Sequence, residues 1–246
     1  MAETSNEKLT EERLLRRWAD LSRDLSLVGD VRGTGRGLLV RYAEPHRRYH
    51  DLEHVRECLA LLDSVAHVAG DSPAIEAAIW FHDAIHEGGA CDNVKRSAEL
   101  AGDTLTGLGA PAALVKKVCA LVTATDHSAL PDEPDARLLC DIDLYRLAAA
   151  PEQFDANTRA LRAEVDLTDA EFDRHRRAFL ERMLRRETIF RTDHFHRKFE
   201  SAARANIRRA LADMADMAAG ATAQQRPGAN VVPRAEEPEP WTRGHR

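Results

Sequence analysis

Three short strings in this sequence carry residues whose types and spacing could do chemistry. "RYHDLEHV" (48–55) holds His50 and His54, "WFHDAIH" (80–86) holds His82, Asp83 and His86, and "LLCDIDLYRL" (138–147) holds Asp141 and Asp143. Imidazole nitrogens and carboxylate oxygens are ordinary ligands for divalent metals. Four residues is about one helical turn, so His50 and His54 could share a helix face. "HDLEH" also fits H-x-x-E-H, a zinc-peptidase pattern in which Glu53 would be the base. That reading leaves "WFHD" and "CDID" without a role, and no downstream glutamate stands out as its further ligand.

The other two strings are open to plainer explanations. Ala78, Ile79, Phe81 and Ile85 mark a largely buried helix, where a His-Asp pair is costly unless its charges are compensated. A cation would compensate them; so would a hydrogen bond between the two side chains. Residues two apart on a helix point about 200° apart, so Asp141 and Asp143 cannot both face one ion. Asp143 shares a face with Leu139 and Arg146, and Asp141 reads as solvated. Taken singly, each fits a surface or salt-bridged role.

The elements that must position these residues read as helices. No run alternates apolar and polar residues between turns, whereas helical spacing recurs. Leu14, Trp18, Leu21, Leu25 and Val28 form one stripe over about 10–28. "GDVRGTGRG" (29–37) follows; it lacks the GxGxxG spacing and a preceding strand, and reads as a flexible loop. Ser72 with Pro73 opens one helix, Pro111 another, and Thr168 with Glu171 makes a capping-box pattern for a third. A last long segment runs over about 193–219. The expectation is one all-α domain, about 8–218, followed by a disordered tail, 219–246, rich in Ala, Gln, Pro, Gly and charge.

Bulk composition narrows the class. The 246 residues are 43% hydrophobic but only 5% aromatic, so Leu, Ala and Val must do most of the packing. A net charge of −6 does not favour non-specific nucleic-acid binding. Cys58, Cys91, Cys119 and Cys140 form no CxxC pair, which fits reduced thiols. The polar N-terminus lacks an apolar signal core, and no run approaches the ~18 apolar residues of a membrane span. A soluble cytoplasmic protein with no membrane partner is expected.

In order, the three strings give H…HD…D, which resembles the signature of the HD superfamily of metal-dependent phosphohydrolases, all-α proteins built on a helical bundle. The resemblance implies a divalent metal held by His54, His82, Asp83 and Asp143. Asp143 is preferred to Asp141 because "IDLY" matches the family's A-D-x-L-like string. "YHDLEHV" resembles the Y-H-N-x-x-H segment of cyclic-nucleotide phosphodiesterases, which implies His50 as general acid and His54 as ligand. Over about residues 10–212 the chain is most similar to a bacterial group of predicted metal-dependent HD phosphohydrolases. It departs from that group's N-E-x-x-S-A string, reading Asn93-Val94-Lys95-Arg96-Ser97-Ala98, and carries His86 where an aromatic residue is commoner.

A mixed N/O ligand set suits Mn, Fe, Co, Ni, Zn or Mg, and four protein ligands leave octahedral positions for water and a phosphoryl oxygen. The implied activity is hydrolysis of a phosphate ester or nucleotide, with Asp83 also orienting the water and His50 protonating the leaving oxygen. The rival is a non-catalytic HD module that binds a nucleotide or a protein. His86 and His127 are candidates for a second metal or the substrate; for His127 the alternative is a helix-end residue. Arg47 and Arg48, Lys95 and Arg96, and, on the resemblance, Arg162 and Arg191 are candidate phosphate contacts. Residues 174–209 carry twelve Lys and Arg against four Asp and Glu, a net +8. That stretch could cover a phosphate-rich pocket, recruit RNA or pair with acidic helices. A homodimer is left open.

Overall fold

A computed structural model describes residues 2–224, with side chains described over 11–217. Ten α-helices run through it: α1 (Ala2–Asp24), α2 (Val31–Tyr42), α3 (Leu52–Val65), α4 (Ser72–Phe81), α5 (Asn93–Gly107), α6 (Ala112–Ala124), α7 (Pro134–Leu144), α8 (Pro151–Ala163), α9 (Asp169–Arg185) and α10 (Asp193–Gln224). Short 3-10 turns follow α3 and α7. There is no strand among the described residues. The protein is all-α, as its periodicity implies. The tail expected from residue 219 lies outside the described residues beyond 224, and the α10 backbone is helical up to that point.

Helix α4 is the centre of the bundle. Ala74, Ile75 and every residue from Ala77 to Phe81 are buried, and α1, α3, α5, α6 and α7 all pack against it. A helix apolar on all sides needs such a surround. Trp18 of α1 closes one side, edge-on to Trp80 (5.6 Å) and Phe81 (6.0 Å). The α1 stripe buries Leu14, Trp18 and Leu21, while Val28 lies beyond the helix and is exposed.

Two local expectations are corrected. Residues 31–37 are the first turns of α2, not a loop: the Asp30 side chain caps it by accepting from the Gly33 N–H at 2.9 Å. Gly35 serves packing, since a Cβ there would come within 2.5 Å of the Trp18 ring. At α4 the cap is Asp71 rather than Ser72, accepting from the Ala74 N–H, with Pro73 in the first turn. The capping box at Thr168 and Glu171 forms as its spacing predicts.

Candidate metal centre and cavity

The three strings meet at one point, delivered by three helix ends. Asp51 caps α3 by accepting from the N–H groups of Glu53 and His54, which sets His54 in the first turn facing inward. Helix α4 ends at Phe81, so the His82–Asp83 pair sits in the turn just past it rather than inside the helix. Asp143 comes from the last turn of α7.

The donor atoms are spaced as ligands of one ion would be. His82 Nε2 lies 3.0 Å from Asp83 Oδ2 and 3.5 Å from Asp143 Oδ1. His54 Nε2 lies 3.1 Å from His82 Nε2, 3.2 Å from Asp143 Oδ1 and 3.6 Å from Asp83 Oδ2. With ligand bonds of about 2.1 Å, two ligands of one ion stand roughly 3.0 Å apart at a right angle and roughly 3.4 Å apart at the tetrahedral angle. The four residues therefore fit a divalent cation, and all four donor atoms lie within 4.8 Å of one another. His82 Nδ1 donates to the Ile79 carbonyl at 2.9 Å, which turns Nε2 to the centre.

Electrostatics favour a cation here. Burial raises the carboxyls of Asp83 and Asp143, but the charge and hydrogen bonds of the surrounding histidines outweigh it and hold both low. Burial lowers both histidines. At His54 it prevails, whereas the two carboxylates lift His82 well above its usual value. The carboxylates thus draw one positive charge onto a ligand nitrogen. A divalent cation would displace that proton.

Around the four donors is a second layer. His127 Nε2 lies 2.7 Å from Asp143 Oδ2, so it supports a ligand instead of extending α6. Its backbone is left-handed (φ 55°), and Arg186 donates to its carbonyl. Cys58 Sγ is 3.7 Å from His54 Nε2, and burial keeps its thiol protonated.

His50 lies before α3 begins, so it does not share a helix face with His54. Its position is set by Glu164 at the end of α8. Glu164 Oε1 accepts from the backbone N–H groups of Arg48, Tyr49 and His50 at 2.7, 2.7 and 2.8 Å, and Oε2 lies 2.7 Å from His50 Nδ1. Burial lowers His50, but Asp83 and Glu164 together raise it above its ordinary value. Burial raises Glu164, but His50 and His86 pull it far below the usual carboxylate range. His86 stacks 4.2 Å from His50, and His50, Asp83 and His86 form a second group with donor atoms within 4.8 Å.

A cavity of about 330 Å³ opens over this centre, lined on one side by His50, Asp83, His86, His127 and Asp143. Leu144, Leu147, Leu161 and Phe179 form an apolar wall, and Arg176 completes it.

The remaining sequence candidates sit elsewhere. Arg47 does not line the cavity; its buried guanidinium donates to the carbonyls of His50, Asp83 and Ala84 and so fixes the backbone of both strings. Lys95 pairs with Glu99, Arg96 with Glu87 and Arg162 with Asp169. Glu53 pairs with Arg56 on the outside of α3, away from the cavity, which removes the peptidase geometry. Asn93 and Ser97 keep a role: Asn93 bonds both backbone groups of Glu87, and the Ser97 hydroxyl accepts from the Ile85 N–H, shaping the turn that carries Asp83 and His86.

Asp141 is fully buried, not solvated. It accepts from the N–H groups of Arg191 and Thr192 and from the Thr192 hydroxyl. Burial pushes its carboxyl up to about 6 against those bonds.

Sequence reasoning passed over Glu164 and Arg176. Neither stands in a motif, and the groups that Glu164 holds at residues 48–50 lie more than a hundred residues away in the chain. No protein-family model matches this chain, and no curated protein or solved structure matches it. No helix among the described residues is long and apolar enough to cross a membrane.

Proposed function

We propose that this protein is a metal-dependent phosphohydrolase with an HD-type centre, acting on a small phosphate ester or nucleotide. The observation that carries the reading is the convergence of His54, His82, Asp83 and Asp143 at ligand spacing beneath a cavity also lined by His50, whose ring Glu164 holds from behind. Mn, Fe, Co, Ni, Zn and Mg all suit such a donor set. When bound, a divalent cation supplies Lewis acidity at the phosphoryl oxygen and a water of lowered pKa.

The chain's own groups supply the rest. Glu164 fixes the His50 ring through Nδ1, and together with Asp83 it favours the protonated ring, whose Nε2–H is the proton offered to the leaving oxygen. Asp83, between the ligand set and His50, orients the attacking water. The apolar wall excludes bulk water, which strengthens each of these interactions. His50, Asp83 and His86 would serve a second ion sharing Asp83.

The test is a panel of phosphomonoesters and nucleotides assayed with Mn²⁺, comparing the wild type with Asp83→Ala. Hydrolysis by the wild type that is lost in the variant supports the reading. Equal rates would falsify it. Binding of a nucleotide without turnover would favour a recognition module.

A further inference from the structure

Arg176 of α9 is the only Lys or Arg among the residues lining the cavity. Its surroundings are unusual for a partly buried cation. The guanidinium lies against the rings of Phe154 and Phe179, 5.6 Å from each centroid. Its Nε is buried and has no hydrogen-bond acceptor, and its one hydrogen bond is a long contact of 3.4 Å to the Thr158 hydroxyl. No carboxylate lies within salt-bridge distance among the described residues, although other arginines of this basic stretch, such as Arg177, Arg204 and Arg209, have acidic partners. A second guanidinium, that of Arg182, lies 5.5 Å from the same Phe179 ring and also has a buried Nε without an acceptor. Two like charges on one ring with no counterion are costly, and Arg is the side chain whose planar fork matches phosphate oxygens.

We propose that Arg176 is the substrate-recognition residue of this cavity, holding a phosphoryl oxygen of the substrate through its free guanidinium edge. The inference rests on the phosphohydrolase reading for the identity of the anion, and it narrows the substrate. A cavity of about 330 Å³ is near the lower end for small-molecule sites. It suits one phosphoryl group joined to a compact organic moiety packed on Leu144, Leu147 and Leu161, rather than a long polyphosphate.

The test titrates inorganic phosphate calorimetrically into the full chain, stripped by chelator or loaded with Mn²⁺, for the wild type, Arg176→Gln and Arg176→Lys. Thermal melts report folding. The loaded wild type binds phosphate. Arg176→Gln weakens this binding roughly tenfold to a hundredfold, the scale of a charged hydrogen bond, and leaves Mn²⁺ affinity unchanged. Arg176→Lys restores part of the affinity, because it keeps the charge but loses the fork. If Arg176→Gln does not fold, the lysine variant decides, and wild-type phosphate affinity in it overturns the proposal. So does a loaded wild type that binds no phosphate. Normal Mn²⁺ binding with phosphate affinity indifferent to residue 176 refutes Arg176 alone. Phosphate binding that depends on Arg176 in a chain that takes up no Mn²⁺ keeps the anion site and refutes the metal-centre reading.

Discussion

Asp141 and Asp143 stand two residues apart on one helix, and the fold uses their carboxylates in opposite ways. Asp143 faces the cavity side, among three histidine nitrogens, and stays ionised because they supply positive charge. Asp141 turns to the other side and meets the segment that leads into α10, where it ties down two backbone N–H groups and a hydroxyl. Charge alone does not mark a site. A buried carboxylate among backbone donors holds the chain together, whereas one among ring nitrogens at ligand spacing can hold a cation.

The sharpest way to break this contrast is to remove each carboxylate in turn. Asp143→Ala should abolish Mn²⁺ uptake, beyond the roughly 10–100-fold lost when only an outer-shell partner is changed. Equilibrium dialysis measures this, and circular dichroism should show a folded chain. Asp141→Ala should do the reverse. It leaves three partly buried donors without their acceptor, which should lower stability by about 2–5 kcal/mol in urea unfolding. Its metal affinity, measured on folded protein, should match the wild type. A variant of Asp141 that lost metal but not stability would invert the assignment.

Glu164 combines both uses, capping three N–H groups and holding His50. Glu164→Gln should reduce turnover by about 100-fold if His50 is the proton donor, since general acids contribute on that scale, while Mn²⁺ affinity stays near wild type. The same variant tests the pH response. Glu164 is held below its unfolded value, so its contribution to stability is fully present above about pH 4.5 and is lost as pH falls toward the folded value. Unfolding midpoints compared at pH 7 and pH 4 should show a smaller acid loss in Glu164→Gln than in the wild type. The smallest effect belongs to His127. His127→Gln removes a partner of Asp143, not a ligand, and should weaken Mn²⁺ binding about tenfold. No change would place His127 outside the centre.

The legibility of the fold and of the site differed for physical reasons. Helices follow from local spacing, and the stripe of α1, the apolar run of α4 and the capping box of α9 are written in neighbouring residues. Gly33, Gly35 and Gly37 misled in the opposite direction: at α2 the Asp30 cap and the close approach of Trp18 override their low helix propensity. The ligand types were legible because imidazole and carboxylate are ordinary metal ligands, although each string taken singly also fitted a surface or salt-bridged role. Their partners were not. Arg47 became a backbone strut and Arg176 the cavity's cation only through where α9 and the His82–Asp83 turn pack.

What the sequence determined by itself is the all-α architecture and the short list of side chains able to hold a metal, because both depend on residues close together in the chain. Tertiary structure decided that the ends of α3, α4 and α7 meet so that His54, His82, Asp83 and Asp143 come within ligand spacing, that Asp141 is used to hold the segment before α10, and that Glu164 reaches His50 from 114 residues away. Those outcomes depend on which helix ends the packing around α4 brings together. A site of this kind needs donor atoms placed to within a fraction of an ångström, and only the packed core fixes distances that finely.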